Sequence, residues 1–403
     1  MPATCDVAVV GAGPAGSSAA YFLARQGLKV LLVDRFEFPR DKTCGDGLTP
    51  RALAMLDQMG LLETVHTVGF PTRGMVIQAP NGSTLSAPIP TIAGRFGYTL
   101  IVPRLHLDAL LLEHALRAGA SFQKMRVQTV EQVPRGVLIR GDGGAAVSAA
   151  AAVIAVGANV GLLLRMGVLA RQPAMMVAAR TYFEGLTGLT GHSRFYFSDV
   201  PLPGYGWLFP LNGDRANIGA GFFAHGPQAQ SMPKTPAQAL TGLLKSPALQ
   251  PLVAQARQIG PVKGHPLRVD FATAPTVFGR ILLAGEAAGL VNPLSGEGID
   301  YALESGQMAA MHLAEIFQQG DFSPARFSRY DAALRRRFQA LFVFCNRVRD
   351  SALTPRRLNL LVALARKRPS LQKMLLNIVL GEEDALQRVS KWAVLRELVW
   401  PRG

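Results

Sequence analysis

Gly11, Gly13 and Gly16 fall within six residues, Gly11-Ala-Gly13-Pro-Ala-Gly16, a spacing that lets a backbone close around a pair of phosphates. Gly11 would permit a tight turn, Gly13 the approach of a pyrophosphate, and Gly16 close packing of the next helix on the preceding strand. Free N–H groups and the positive dipole end at that helix start would hold the anion. Asp34 stands where a carboxylate accepts hydrogen bonds from a ribose. Such a glycine pattern is weak alone, and its setting gives it weight. The apolar run Val7–Val10 precedes it, and a helix-compatible run extends to Gly27. A second apolar strand covers Lys29–Val33, and Asp34 closes it. Strand, glycine turn, helix, strand and acid in that order predict a dinucleotide site.

The rest of the chain must position that site. Its 403 residues leave room for two cores. Helices are predicted over Arg51–Gly60 and Leu105–Gly119, with a hairpin over Gly74–Ala87 turning at Asn81-Gly82. Ser121–Val127 and Val153–Val156 read as strands. Short alternating runs at Met175–Phe183, Arg194–Phe197, Tyr205–Pro210 and Ala216–Phe222 predict an antiparallel sheet, the natural floor of a substrate pocket. Arg280–Glu286 returns to parallel-strand texture and leads into a helix over Gly296–Ile316. The expected fold is α/β: a Rossmann-like domain, interrupted by a mixed or antiparallel-sheet substrate domain and followed by a C-terminal helical region.

Composition narrows the possibilities. Cys5, Cys44 and Cys345 offer no disulfide framework and suit a reducing, cytoplasmic location. The seven histidines make no HxxxH or HExxH pairing and there is no CxxC, so no metal site is expected. The apolar start lacks a cationic flank and does not read as a signal peptide. Gly143–Leu164 carries no charge and is long enough to span a bilayer. Its Ala and Gly content, Asn159 and the run Val153–Val156 predict a buried strand with flanking turns instead. From Pro324 onward, 17 Lys and Arg face 6 Asp and Glu, so +11 of the net +15 lies in the last fifth of the chain. Apolar stretches between those cations predict basic amphipathic helices, which dock on anionic membranes at about 1 kcal/mol per cation. Peripheral membrane association is therefore expected. Aromatics are not interleaved with the cations, so no nucleic-acid partner is expected.

Three further segments select the cofactor: Phe38-Pro-Arg-Asp-Lys-Thr-Cys-Gly-Asp-Gly-Leu-Thr-Pro-Arg51, Val102-Pro-Arg104-Leu-His-Leu-Asp108, and Ile281 through Gly298 with Gly285-Glu286, Pro293 and Gly296-Glu-Gly298. With Gly11–Gly16 they resemble the FAD oxidoreductases of the para-hydroxybenzoate-hydroxylase fold, and within these the geranylgeranyl reductase family and its prenyl-quinone and prenyl-lipid reductase branch. RDKTCGDGLTPRA, PGYGWLFPL at 203–211 and NPLSGEGIDYALESG at 292–306 carry the more specific likeness. The resemblance implies an FAD-binding domain in three parts (1–70, 101–168 and 271–322), a substrate-side hairpin at 71–100, an antiparallel-sheet substrate domain at 169–270 and a basic helical region at 323–403. It places Gly11, Gly13 and Gly16 at the pyrophosphate and Asp34 at the adenosine ribose, with Ala15 and Arg35 also among the cofactor-binding residues. Arg104 would reach the phosphate–ribose region, the Val127 backbone the adenine edge, and Glu286, beside the cofactor-binding Gly285, the ribityl chain and pyrophosphate. Pro293, Gly296 and Gly298 would lie by the isoalloxazine, with Arg40, Cys44 and Gly45 on its substrate side, beside Lys42 and Asp46. Two departures stand out: Val156 where the family has Asp, and Glu286 where it has Asp. The first weakens direct use of NADPH and leaves ferredoxin or another redox protein as a possible donor.

The implied chemistry is hydrogenation of isolated C=C bonds in the polyprenyl chain of a membrane lipid, quinone or pigment. An unactivated alkene is a poor hydride acceptor, so a proton source beside the flavin and a dry apolar tunnel are required. Cys44 and Tyr205 are the candidate donors, Asp46 being expected to ionise near neutrality. Trp207 is a candidate catalytic-site wall, and Met175, Met176, Phe195 and Phe197 could line the tunnel. The alternative within the fold is a monooxygenase or halogenase on an aromatic substrate. Halogenases carry Trp-x-Trp-x-Ile-Pro, whereas this chain has Tyr205-Gly-Trp207-Leu-Phe-Pro210.

Overall fold

The computed structural model describes residues 3–91, 96–223 and 235–381. The N-terminal strand Ala3–Val10 lies at the centre of an eight-stranded sheet, between Ala146–Ile154 and Val30–Asp34, parallel to both. Ser121–Lys124 continues the parallel set beyond Val30–Asp34, and Ile281–Leu283 beyond Ala146–Ile154. Val7, Ala8, Val9, Ala151, Ala152 and Val153 are wholly buried, as continuous apolar runs are in a sheet covered on both faces. The uncharged stretch around Ala150 is thus a core strand, and among the described residues no helix is long and apolar enough to cross a membrane.

Helix Pro14–Arg25 packs between Arg104–Arg117 and Ile299–Gln319. Gly306 permits the second contact, since a Cβ on it would stand 2.3 Å from Ala15 O; a Cβ on Gly16 would stand 1.7 Å from Gly11 O, so Gly16 lets the helix begin tight against its own turn.

A second, seven-stranded sheet runs Arg257–Arg268, Met175–Glu184, Ala216–Phe223, Gly204–Pro210, Ser193–Tyr196, Gly74–Gln78, Thr84–Pro88. All its pairings are antiparallel except that of Ser193–Tyr196 with Gly74–Gln78. The hairpin near Asn81 therefore joins the sheet built from residues 175–268. The long edge strand Arg257–Arg268 is absent from the sequence reading. Three short strands, Gly47–Leu48, Thr99–Ile101 and Phe70–Thr72, form a third sheet.

Helices Pro324–Ala352, Pro355–Lys367 and Pro369–Val379 follow. The first packs Phe327, Tyr330, Phe338 and Phe342 into the main core, and the other two cover the Gly74–Pro88 hairpin. The end of the basic region, 382–403, lies outside the described residues.

Candidate active site

One cavity of about 1110 Å³ runs from the glycine turn to the second sheet. At the turn, Gly11 has φ +103°, and any Cβ there would meet Ala155 O at 2.4 Å. Beside Gly13 there is open space, bounded only by Arg40 Nη2 at 3.9 Å and Arg104 Nη2 at 4.0 Å from a Cβ built there. The helix that starts here has neither a side-chain cap nor an acid in its first turn. Arg104 holds Asp108 through two bonds, Nε to Oδ1 at 2.6 Å and Nη2 to Oδ2 at 2.8 Å, and Arg40 pairs with the same carboxylate at 2.9 Å. Two guanidiniums sharing one carboxylate leave a positive charge in excess, which adds to the helix dipole. Asp34 accepts from Ala12 N at 2.8 Å and Phe36 N at 3.0 Å, so its carboxylate is fixed against the turn.

The opposite wall is aromatic. Tyr205, Trp207 and Phe209 alternate along strand Gly204–Pro210 and share one face by the period of two. Phe195 on the neighbouring strand lies 5.7 Å from Tyr205 and 5.2 Å from Phe209, ring centre to ring centre. The Cys44–Gly45 backbone packs onto this row, a Cβ on Gly45 falling 3.0 Å from the Phe209 ring. Asn217 ties loop to wall: its Nδ2 donates to Cys44 O and to Asp46 Oδ2, both at 2.8 Å, while Trp207 Nε1 donates to its Oδ1 at 3.0 Å.

Most of the residues singled out in the sequence line this cavity: Gly11, Gly13, Ala15, Asp34, Arg35, Arg40, Cys44, Gly45, Arg104, Val127, Tyr205, Trp207, Glu286, Gly296 and Gly298. Gly16, Gly285 and Pro293 stand behind its wall; a Cβ on Gly285 would lie 2.8 Å from that of Ala15. Glu286 accepts from Arg268 N at 3.1 Å and faces Lys42 Nζ at 3.6 Å. Of the four proposed tunnel residues, Met176 and Phe195 line the cavity. Met175, whose alternate side faces away, packs with Ala158 and Val160 instead, and Phe197, 6.1 Å from the Tyr205 ring, is not among the cavity's lining residues.

Burial changes the acid–base properties. It pushes the Cys44 thiol up, partly offset by the Arg104 guanidinium. It likewise pushes Tyr205 up, and the Tyr205 hydroxyl donates to Ser295 O. Asp46, wholly buried, is pushed up to about 6, although Tyr182 Oη, Asn217 Nδ2 and the Arg104 N–H all donate to it. It lies behind the wall and is a weaker acid than the sequence suggested. Two lining residues escaped the sequence reading. Burial and then Asp300 hold Glu297 well above the usual carboxylate range. Burial and then Lys42 push His265 down to about 4, and its Nε2 is buried without a partner among the described residues. The sequence offered a signal only for Glu297, which sits inside the Gly296-Glu-Gly298 motif.

Residues 4–344 match the family described as FAD binding domain. The chain belongs to that family. Over 328 residues it is 36% identical to a menaquinone reductase of Mycobacterium tuberculosis, covering 76% of each protein. Over 359 residues it is 29% identical to digeranylgeranylglycerophospholipid reductase 1 of Methanopyrus kandleri, covering 84% of this chain and 88% of that one. Two solved structures share its fold. A geranylgeranyl bacteriochlorophyll reductase-like protein of Thermoplasma acidophilum has a TM-score of 0.79 at 22% identity, over 96% of this chain and 99% of that one. The flavin-dependent brominase Bmp2 also has 0.79, at 20% identity over 98% of each chain.

The chain is accordingly an FAD-dependent oxidoreductase, and its residues fit the cofactor. The open space beside Gly13, the uncapped helix and the surplus guanidinium charge suit a pyrophosphate. Bound FAD would supply a ring able to take up and deliver a hydride. The protein would hold the diphosphate with the Gly13 turn, Arg40 and Arg104, and exclude water with Trp207, Phe209 and Phe195.

Proposed function

We propose that this oxidoreductase saturates C=C bonds in the polyprenyl chain of a membrane lipid, with a prenylated quinone as the leading substrate. The observation that carries this reading is the continuity of the cavity. A phosphate-binding turn opens, without a dividing wall, into a chamber lined by Leu48, Met75, Ile101, Met176, Phe195 and Leu380. The substrates named for the menaquinone and digeranylgeranylglycerophospholipid reductases support it, since both carry isoprenoid chains. Cys44 is the proposed proton donor. Its thiol is kept protonated by burial, whereas the Tyr205 proton is already engaged by the Ser295 carbonyl and Trp207 is held as a wall by Asn217. Protonation of one alkene carbon would accompany hydride capture at the more substituted one, in a chamber that excludes water. The electron donor, NADPH or a redox protein such as ferredoxin, belongs to the same proposal, as does peripheral attachment to the cytoplasmic membrane face.

Anaerobic photoreduction of the purified protein tests this. Adding a prenylated quinone should reoxidise the flavin and give a product heavier by two hydrogens in the side chain. Cys44→Ala should slow that reoxidation about 10²–10⁴-fold, the usual contribution of a general acid, with FAD content unchanged. A reduced flavin indifferent to the lipid, but forming a peroxide with oxygen and modifying an aromatic compound, would instead support the monooxygenase or halogenase reading.

A further inference from the structure

Three hydroxyls meet in the apolar part of the cavity. Thr72 Oγ1 lies 2.6 Å from Thr99 Oγ1 and 3.1 Å from Ser193 Oγ. All three residues are more than nine-tenths buried, at 0%, 6% and 3% exposure. Thr99 and Ser193 line the cavity, and Thr72 stands behind them, joining the third sheet to the second. Their surroundings there are Met75, Ile101, Phe195 and Leu380.

A cross-strand Thr–Thr pair is ordinarily a self-satisfied contact. Here the protons do not balance. Each hydroxyl brings one donor, and the two contacts use two of the three. The third proton has no acceptor among the described residues. A buried donor without a partner costs about 1–3 kcal/mol, so a site that retains one is matched to a ligand that accepts it. Because Thr72 is the central oxygen, the spare donor can be presented by either Thr99 or Ser193, both of which border the cavity.

We propose that Thr72, Thr99 and Ser193 form a subsite for an acceptor oxygen on the substrate's polar head, a ring carbonyl such as a quinone presents. The inference rests on the polyprenyl-lipid reading and adds to it a head-group preference. The spare hydroxyl proton is donated to the carbonyl oxygen while the ring lies against Phe195 and Met75, and the isoprenoid chain extends along the aromatic row towards Cys44. A hydrocarbon chain alone makes no use of the subsite.

The test is equilibrium binding to the oxidised, FAD-loaded protein, read from perturbation of the flavin absorbance so that no turnover is needed. The probes are a naphthoquinone bearing two isoprene units and squalene, an isoprenoid without oxygen. The double variant Ser193→Ala, Thr99→Val, which leaves no hydroxyl bordering the cavity, should weaken the quinone about tenfold and leave squalene unchanged. Either single variant, which keeps one bordering hydroxyl and its spare proton, should retain most of the quinone affinity. FAD content and melting temperature of each variant show that it is folded. Equal losses for both probes, or none for either, overturn the subsite. If wild-type protein binds squalene and not the quinone, the head-group inference fails and the prenyl reading survives. If it binds neither probe, both fail together.

Discussion

Asp46 illustrates how far a single residue's chemistry departs from its type once the fold surrounds it. It sits at φ +67°, is wholly buried, and gathers three donors, yet desolvation outweighs them and pushes its pKa up to about 6 from 3.8. The consequence for stability has a definite sign. Below about pH 4 the folded and unfolded chains both keep the proton, and no penalty exists. As pH rises towards 6, only the unfolded chain gives it up, and the folded state loses up to about 3 kcal/mol, a loss that is complete above the folded pKa. Asp46→Asn cannot titrate. Chemical denaturation at pH 4 and pH 7 should therefore show this variant gaining up to about 3 kcal/mol on the wild type between the two, whatever its constant offset. An offset identical at both values would remove Asp46 as the cause. Little of this is legible in the sequence, because burial at residue 46 comes from strands Met175–Glu184 and Ala216–Phe223, more than a hundred positions away.

Elements show a sharper division between what the sequence discloses and what it conceals. The glycine turn, its helix and the acid at Asp34 were readable because one local unit contains the whole device. Arg257–Arg268 was not readable, since Gly260, Pro261, Gly264 and Pro266 interrupt any strand pattern. It is nonetheless a strand, because it lies at the sheet edge, where a proline need not donate to a neighbour. With it the sequence also concealed His265. Gly306 is a third kind of case, a glycine in mid-helix that looks like a weakness. Alanine there would ordinarily favour the helix by about 1 kcal/mol. Its Cβ, however, would fall 2.3 Å from Ala15 O and 3.0 Å from Ser18 Cβ, near the start of helix Pro14–Arg25. Gly306→Ala should therefore destabilise the protein by about 1–3 kcal/mol net and lower its FAD retention. Thermal melting and the flavin-to-protein absorbance ratio measure both, and a variant as stable and as yellow as the wild type would show that the two helices do not need this closeness.

At the scale of the whole molecule, the charge asymmetry and the cavity meet on the same pair of helices. From Ser351 to Gly381 the chain carries Arg356, Arg357, Arg366, Lys367, Arg368 and Lys373 and no acid at all. Val362, Ala365 and Leu371 bury one side of this pair against Ala79 and Leu85 of the hairpin, which turns Arg356, Leu360 and Lys367 outward together. Leu360 is 59% exposed in that basic field. The second helix then ends at Val379 and Leu380, which border the cavity. On the proposed reading of a bilayer-resident substrate, this basic pair of helices, whose end borders the cavity, is the expected site of membrane attachment. Replacing Arg356, Arg357, Arg366 and Lys367 by Gln removes four cations at about 1 kcal/mol each, so partition onto vesicles rich in anionic phospholipid should fall about 10³-fold at low salt. Wild-type binding should weaken as salt rises, and vesicles of phosphatidylcholine alone should bind little of either protein. FAD content should stay the same, because none of the four side chains touches the glycine turn. Equal sedimentation of both proteins with neutral vesicles would mean that the apolar surface, not the charge, holds this enzyme at the membrane.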